Sequence, residues 1–342
     1  MAENSTILLI YTGGTIGMIK DFETGALKAF DFDDLLKHVP ELKLLDHYID
    51  TYSFEQPIDS SNMSPAHYVS IASVIEENYD RYDGFVILHG SDTMSYSASA
   101  LSFMLENLGK PVIFTGSQLP IGDLRTDAKE NLITAIQLAG LQRRGKMVIT
   151  EVGLYFEYKL YRGNRTTKIN SEHFQAFNSP NFPPLAISGV NLKVDYNLLK
   201  KANKRKQLQV HKQLNDNILV LKLFPGINEK MVKSLFETEG LPGVVLETYG
   251  SGNANNEDWF VNILKKAIKK GMHIINVTQC RGGGVWMGHY ETSTAMKKMG
   301  VISGKDITTE AAVAKLMYLL PQDLHTKVFK TIYETSLRGE ML

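Results

Sequence analysis

The sequence predicts an α/β protein of two domains, a larger N-terminal one over residues 1–197 with a mostly parallel sheet and a smaller, doubly wound parallel-sheet one over 218–342. Three observations lead there. Short, nearly continuous apolar runs suit strands buried on both faces. Longer segments of helical period separate them, the alternation that builds parallel sheets covered by helices. The scheme then restarts after a polar, basic stretch, 198–217, which reads as a solvated linker.

In the first half, Ile7–Tyr11, Gly84–Leu88, Pro111–Thr115 and Met147–Tyr155 read as strands. Ser97–Leu108 carries Ala98, Leu101, Met104, Leu105 and Leu108 on one helical stripe, with Gly109 as its stop. Asp127–Ala139 opens with Asp127 and Glu130 at capping-box spacing and buries Leu132, Ile133 and Ile136. In the second half, strands at Ile218–Phe224, Val244–Glu247 and His273–Val277 alternate with helices at Glu229–Glu239, Glu257–Lys270 and Thr292–Met299. Two more helical segments, Thr309–Leu320 and Gln322–Ser336, follow.

Composition narrows the function. Lys plus Arg number 37 and Asp plus Glu 37, so the formal net charge is zero. A nucleic-acid reader needs a basic footprint, and the overall balance offers none. The basic run in 198–217 has no interleaved aromatic residues. One cysteine, Cys280, allows no internal disulfide. The opening MAENST has no positive n-region, and no run approaches the ~20 apolar residues of a membrane span. A cytoplasmic protein without a membrane or nucleic-acid partner is expected.

Ligands of parallel sheets bind beyond the carboxyl ends of strands. Five such ends carry hydroxyl, glycine, hydroxyl sequences: Thr12–Gly17, His89–Thr93, Thr115–Gln118, Thr248–Asn253 and Thr278–Gly282. Glycine lets backbone approach a ligand closely, and hydroxyls donate, accept or attack. None of them fits a dinucleotide or P-loop fingerprint. A hydroxyl attacks only when a base takes its proton. His89 has no acid placed to orient it and reads as a packed histidine. Lys168, at the end of Tyr161–Lys168, is the other candidate base. His38, His47 and His67 are widely spaced and give no metal signature.

Tyr11–Gly17 (YTGGTIG), His89–Thr93 (HGSDT) and Tyr161–Lys168 (YRGNRTTK), in this order and spacing, resemble the type I, cytosolic L-asparaginase family. Ala100–Val112 and Asn276–Cys280 extend the likeness over nearly the whole chain. The resemblance implies hydrolysis of L-asparagine to L-aspartate and ammonia, without cofactor or metal, by a homotetramer built as a dimer of dimers. It implies Thr15 as nucleophile and Ser91, Asp92 and Lys168 as the second catalytic group. It also implies that Asp59, Ser60 and Ser61, in Pro57–Met63, hold the substrate's α-carboxylate and α-amine together with Ser91 and Asp92. Alternatives are a glutaminase-asparaginase, because one methylene is worth only ~1–3 kcal/mol of discrimination, or an amino-acid sensor that has lost turnover.

Three departures from the family pattern matter. Ser91 stands where Thr is common, which keeps the hydroxyl. Ala26 stands where a tyrosine usually helps activate the nucleophile, so another tyrosine, or Lys168 through water, is left to take the Thr15 proton. Thr278 and Cys280 match an allosteric asparagine site of some members, but Glu247 stands where an arginine would grip the ligand carboxylate. Asparagine activation is therefore expected to be lost or altered.

Overall fold

The computed structural model describes residues 4–20, 27–29, 39–203, 205–288 and 291–342. They form two compact units, Met1–Lys212 and Gln213–Leu342.

The first unit is organised by a mixed eight-stranded sheet. Its strands are β1 (Thr6–Tyr11), β2 (Tyr48–Ser53), β3 (Gly84–Leu88), β4 (Val112–Thr115), β5 (Val152–Phe156), β6 (Lys159–Arg162), β7 (Ala186–Ile187) and β8 (Lys193–Val194). They lie in the order β8-β7-β6-β5-β4-β3-β1-β2. The five from β2 through β5 pair in parallel, while β5 turns back antiparallel onto β6. β1 and β3 are buried at nearly every position, so their apolar runs were legible. β2, at the sheet edge, is mostly exposed and mixes Tyr, Ile and Thr with Asp and Ser. It lacks a continuous apolar run, although its β-branched and aromatic residues are a strand signal.

Helices α1 (Pro65–Asn78), α2 (Met94–Met104) and α3 (Ala128–Ala139) belong to this unit. α2 starts before the expected Ser97 and stops at Met104. The next two residues, Leu105–Glu106, pair instead with Gln209–Val210, and Asn107 takes a left-handed φ of 60°. Part of the stretch read as a linker is thus hydrogen-bonded to the first unit. The capping box at Asp127 does not form. The Asp127 carboxylate instead accepts the backbone N–H groups of Gln118 and Leu119, and Glu130 accepts the hydroxyls of Thr134 and Tyr155. The strand expected from Met147 begins only at Val152. Met147 forms an isolated bridge with Gln142, and Thr150 donates its hydroxyl to Lys200 O. Glu151 turns inward to a buried pair with Arg162 at 2.5 Å.

The second unit has four parallel strands in sequence order, β9 (Ile218–Lys222), β10 (Gly243–Thr248), β11 (His273–Thr278) and β12 (Ile302–Ser303). Its helices are α4 (Glu229–Phe236), α5 (Asp258–Lys269), α6 (Glu291–Met299), α7 (Thr309–Leu319) and α8 (Thr326–Tyr333). Phe260 and Leu264 of α5 pack with Val232 of α4 and Val244, Leu246 and Ile274 of the sheet. The segment expected to be helical from Gln322 becomes α8 only at Thr326, because Asp323 takes a left-handed φ of 46°. Among the described residues, no helix is long and apolar enough to cross a membrane.

Candidate active site

At the carboxyl end of β1 the chain is held before it turns. Both the backbone N–H and the hydroxyl of Thr12 donate to Leu88 O, and Ile58 N donates to Thr12 O. Gly13 and Gly14 then take φ of 134° and 92°. A Cβ on Gly13 would lie 2.3 Å from Ile58 O, and one on Gly14 would lie 2.5 Å from Gly90 N. Only glycine allows both this conformation and this approach. One short turn, Thr15–Gly17, follows and leaves Thr15 half-buried. The Thr15 hydroxyl makes no hydrogen bond with a described residue. Beyond it, Met18–Lys20 pairs antiparallel with Leu27–Ala29, and Ala26 lies outside the described residues.

The loop after β3 packs on this turn through Gly90 and reaches a second loop on its other side. A Cβ on Gly90 would lie 2.5 Å from Ser60 Oγ, and Thr93 donates its hydroxyl to Ser60 O at 2.7 Å. Asp59 caps the turn Ser60–Asn62, accepting from Ser61 N at 2.9 Å. That bond holds the Asp59 carboxyl below the usual carboxylate range. Ser60 is buried, while Asp59 and Ser61 are exposed.

Lys168 arrives from a third direction. It ends the short strand Thr167–Lys168, paired with Phe177–Asn178, and Phe177 is anchored against Phe156 with ring centroids 4.9 Å apart. The Lys168 ammonium donates to Ser91 Oγ at 2.9 Å and to Asp92 Oδ1 at 2.7 Å. The Lys168 side chain is 18% exposed and that of Asp92 67%, so the carboxylate is the end of the pair open to an incoming ligand.

His89 belongs to the scaffold. Its ring is buried, with Nδ1 2.7 Å from Gly90 O and Nε2 2.8 Å from Ser97 Oγ. A carbonyl only accepts, so Nδ1 carries the proton and Nε2 accepts from Ser97. Burial brings its pKa down to about 4, which keeps the imidazole neutral at pH 7.

The family model described as asparaginase, N-terminal, matches residues 6–200, and that described as glutaminase/asparaginase C-terminal domain matches 217–333. The chain belongs to the asparaginase family. L-asparaginase 1 of Escherichia coli (strain K12) is 42% identical over 342 aligned residues, covering 99% of this chain and 98% of that one. The 60 kDa lysophospholipase of Mus musculus is 40% identical across 100% of this chain, which spans 63% of that protein. L-asparaginase I from Vibrio cholerae O1 biovar eltor str. N16961 has the same architecture, with a TM-score of 0.90 at 41% identity and 99% of both chains covered.

In this member of the asparaginase family the Thr15, Asp59–Ser61 and Ser91–Asp92 loops interlock, and Lys168 joins the last of them. Sequence reasoning gave no role to Gln118. Its Oε1 accepts from Ser91 Oγ at 3.2 Å, its Nε2 donates to His173 O at 3.1 Å, and its backbone N–H is held by Asp127. Burial pushes the Asp127 carboxyl up, against the lowering effect of those N–H bonds. The available signal was the position of Gln118 at a strand end, in a loop already singled out.

The second-unit candidates lie at the carboxyl ends of β10 and β11. Thr278 donates its hydroxyl to Gly250 O at 2.6 Å and accepts from Cys280 N at 3.1 Å. Cys280 is a free, exposed thiol. The Glu247 carboxylate accepts the Thr309 hydroxyl at 2.6 Å, in the first turn of α7.

Proposed function

We propose that this chain is an L-asparaginase that hydrolyses L-asparagine to L-aspartate and ammonia with the Thr15 hydroxyl as nucleophile. The observation that carries this reading is the Lys168 ammonium bonded to Ser91 and Asp92, on a loop against which the Thr15 turn packs. An amino-acid amide needs three things: a clamp for its charged end, a nucleophile for its carbonyl carbon, and a route for protons.

The clamp is formed by the carboxylates of Asp59 and Asp92 for the α-ammonium and the hydroxyls of Ser60 and Ser61 for the α-carboxylate. Thr15 Oγ1 attacks the side-chain carbonyl carbon, and its proton passes through water to the departing amide nitrogen. Backbone N–H groups of the glycine turns meet the oxyanion, each such donor being worth ~3–4 kcal/mol in the transition state. The C–N bond breaks and ammonia departs with a proton. Water, oriented by Ser91 and Lys168, then attacks the Thr15 ester, which releases aspartate and returns the hydroxyl. Water is the only co-reactant needed. The resemblance further supports a cytoplasmic homotetramer, for which light scattering gives the mass directly.

The deciding experiment measures ammonia release from asparagine and glutamine by wild type and Thr15→Val. The expected result is turnover of asparagine that Thr15→Val abolishes. Retention of most of the wild-type rate by the variant overturns the nucleophile. Equal turnover of glutamine makes the protein a glutaminase-asparaginase, and asparagine binding without ammonia release makes it a sensor.

A further inference from the structure

A second concavity lies in the first unit, at the opposite end of the sheet from Thr15. Lys110 just precedes β4 and Thr150 just precedes β5, and both line it, so it opens at the amino ends of the strands. Its volume is about 1090 Å³. That is just above the ~300–1,000 Å³ typical of small-molecule sites, far more than one inorganic ion fills.

Its charge is one-sided. Six cationic side chains line it, Lys110, Arg143, Lys146, Lys200, Lys201 and Lys206, against the acids Glu76 and Asp80. Glu76 is already engaged by Lys212 at 2.6 Å. No Asp or Glu occurs between Glu130 and Glu151 or between Asp195 and Asp216. Two acid-free basic stretches thus converge on one concavity, in a chain of zero formal net charge. Arg143, Lys146, Lys201 and Lys206 are exposed and meet no carboxylate among the described residues. Like charges gathered this way repel one another, and an anion relieves that cost.

The walls are held in place by named bonds. Arg144 and Gly145 both take positive φ, 57° and 66°, and Arg143 N donates to Lys146 O at 2.8 Å. This tight two-residue turn sets Arg143 and Lys146 opposite one another. The Arg143 guanidinium sits 5.0 Å from the centroid of the Tyr196 ring, which is 49% exposed. The facing basic segment is pinned: Thr150 Oγ1 donates to Lys200 O, Lys200 N to Glu151, and Arg162 to Leu198 O.

We propose that this concavity binds a nucleoside phosphate, with the phosphates on Arg143, Lys146, Lys201 and Lys206 and the base against Tyr196. Arginine and lysine are the usual partners of phosphate oxygens. A tyrosine face accepts a planar ring by offset stacking. The cavity lies away from the Thr15 loops, so the inference is independent of the asparaginase reading.

The test is isothermal titration calorimetry of the full chain with ATP, tripolyphosphate and adenosine at low and high salt. ATP is expected to bind at least tenfold more tightly than tripolyphosphate or adenosine, and more weakly as salt rises. The combined variant Arg143→Glu, Lys146→Glu, Lys206→Glu is expected to lose ATP binding at least tenfold while keeping its circular dichroism and its asparagine turnover. Tyr196→Ser is expected to weaken ATP and leave tripolyphosphate unchanged. No ATP binding by wild type, tripolyphosphate binding as tightly as ATP, or binding that survives the charge reversal overturns the proposal.

Discussion

The Lys168 ammonium donates to the Ser91 hydroxyl at 2.9 Å and lies mostly buried behind it. A proton relay through this contact needs both groups. Lys168→Met keeps the volume and removes the charge. Because general acid–base help is worth on the order of 10²–10⁴-fold, kcat on asparagine should fall by at least ~10². Ser91→Ala should fall similarly, and the double variant should lose little more than either alone. Ser91→Thr, which keeps the hydroxyl, should remain active. Steady-state kinetics decide this, and a loss under tenfold in Lys168→Met removes lysine from the relay.

Gln118 contacts Ser91, which makes it a candidate positioning residue for that hydroxyl. Its side-chain oxygen accepts the hydrogen bond of the Ser91 hydroxyl, and its amide N–H donates to His173 O. One net hydrogen bond is worth ~0.5–1.5 kcal/mol, so Gln118→Leu should lower kcat by roughly two- to tenfold with a smaller change in KM. Gln118→Glu keeps an acceptor for Ser91 and should recover part of kcat. Equal losses in both variants would point to a general loop defect instead.

The strands carrying the site were legible because β1 and β3 are buried on both faces, so nearly every residue in them is apolar. The glycines were legible as well, since a strand end followed by two glycines signals close backbone approach. Less could be read where long-range partners decide. Asp127 has the local signature of a helix cap, yet its carboxylate is taken by a loop nine residues earlier. β2 pairs with β1 from the sheet edge and shows water a mixed polar face. Gln118 gained a role only once folding set it beside Ser91, 27 residues away.

Gly14 and Gly226 separate strain from collision. Both take positive φ, 92° and 98°, but a Cβ on Gly14 would meet Gly90 backbone at 2.5 Å while one on Gly226 meets nothing within 4 Å. Gly226→Ala should cost about 1 kcal/mol from backbone conformation alone. Gly14→Ala adds a collision with immovable backbone and should cost on the order of 3 kcal/mol, together with most activity. Urea unfolding of both variants checks the ordering, and equal losses would mean that the contact with Gly90 does not matter.

Buried His89 ties stability to pH. Its pKa falls from 6.5 to about 4 on folding, because burial penalises the imidazolium more than the Gly90 carbonyl favours it. Between those values the unfolded chain binds more protons than the folded one. Stability therefore rises with pH across the window and is lost as pH falls from about 6.5 to about 4, by roughly 3 kcal/mol from this group. His47 and His273 are also lowered by burial and add in the same direction. His89→Gln should flatten the pH dependence of Tm across this window. A variant Tm that drops as steeply as the wild type's would show that other groups carry the effect.

Glu247 sits at the second-unit position that the family resemblance likens to a regulatory site. Its carboxylate accepts the Thr309 hydroxyl at the start of α7, where the positive end of the helix dipole favours a negative charge. Thr278 spends its hydroxyl proton on Gly250 O and takes the Cys280 N–H in return. An asparagine entering here would bring its carboxylate toward an acid and find the Thr278 donor already committed. Hyperbolic dependence of rate on asparagine concentration is therefore expected, unchanged in Thr278→Val. Glu247→Gln, which removes the charge and keeps an acceptor for Thr309, should lower Tm slightly and leave the rate curve hyperbolic, because the Thr278 donor stays committed to Gly250 O. A sigmoidal wild-type curve that becomes hyperbolic in Thr278→Val would show that asparagine binds and activates here despite Glu247.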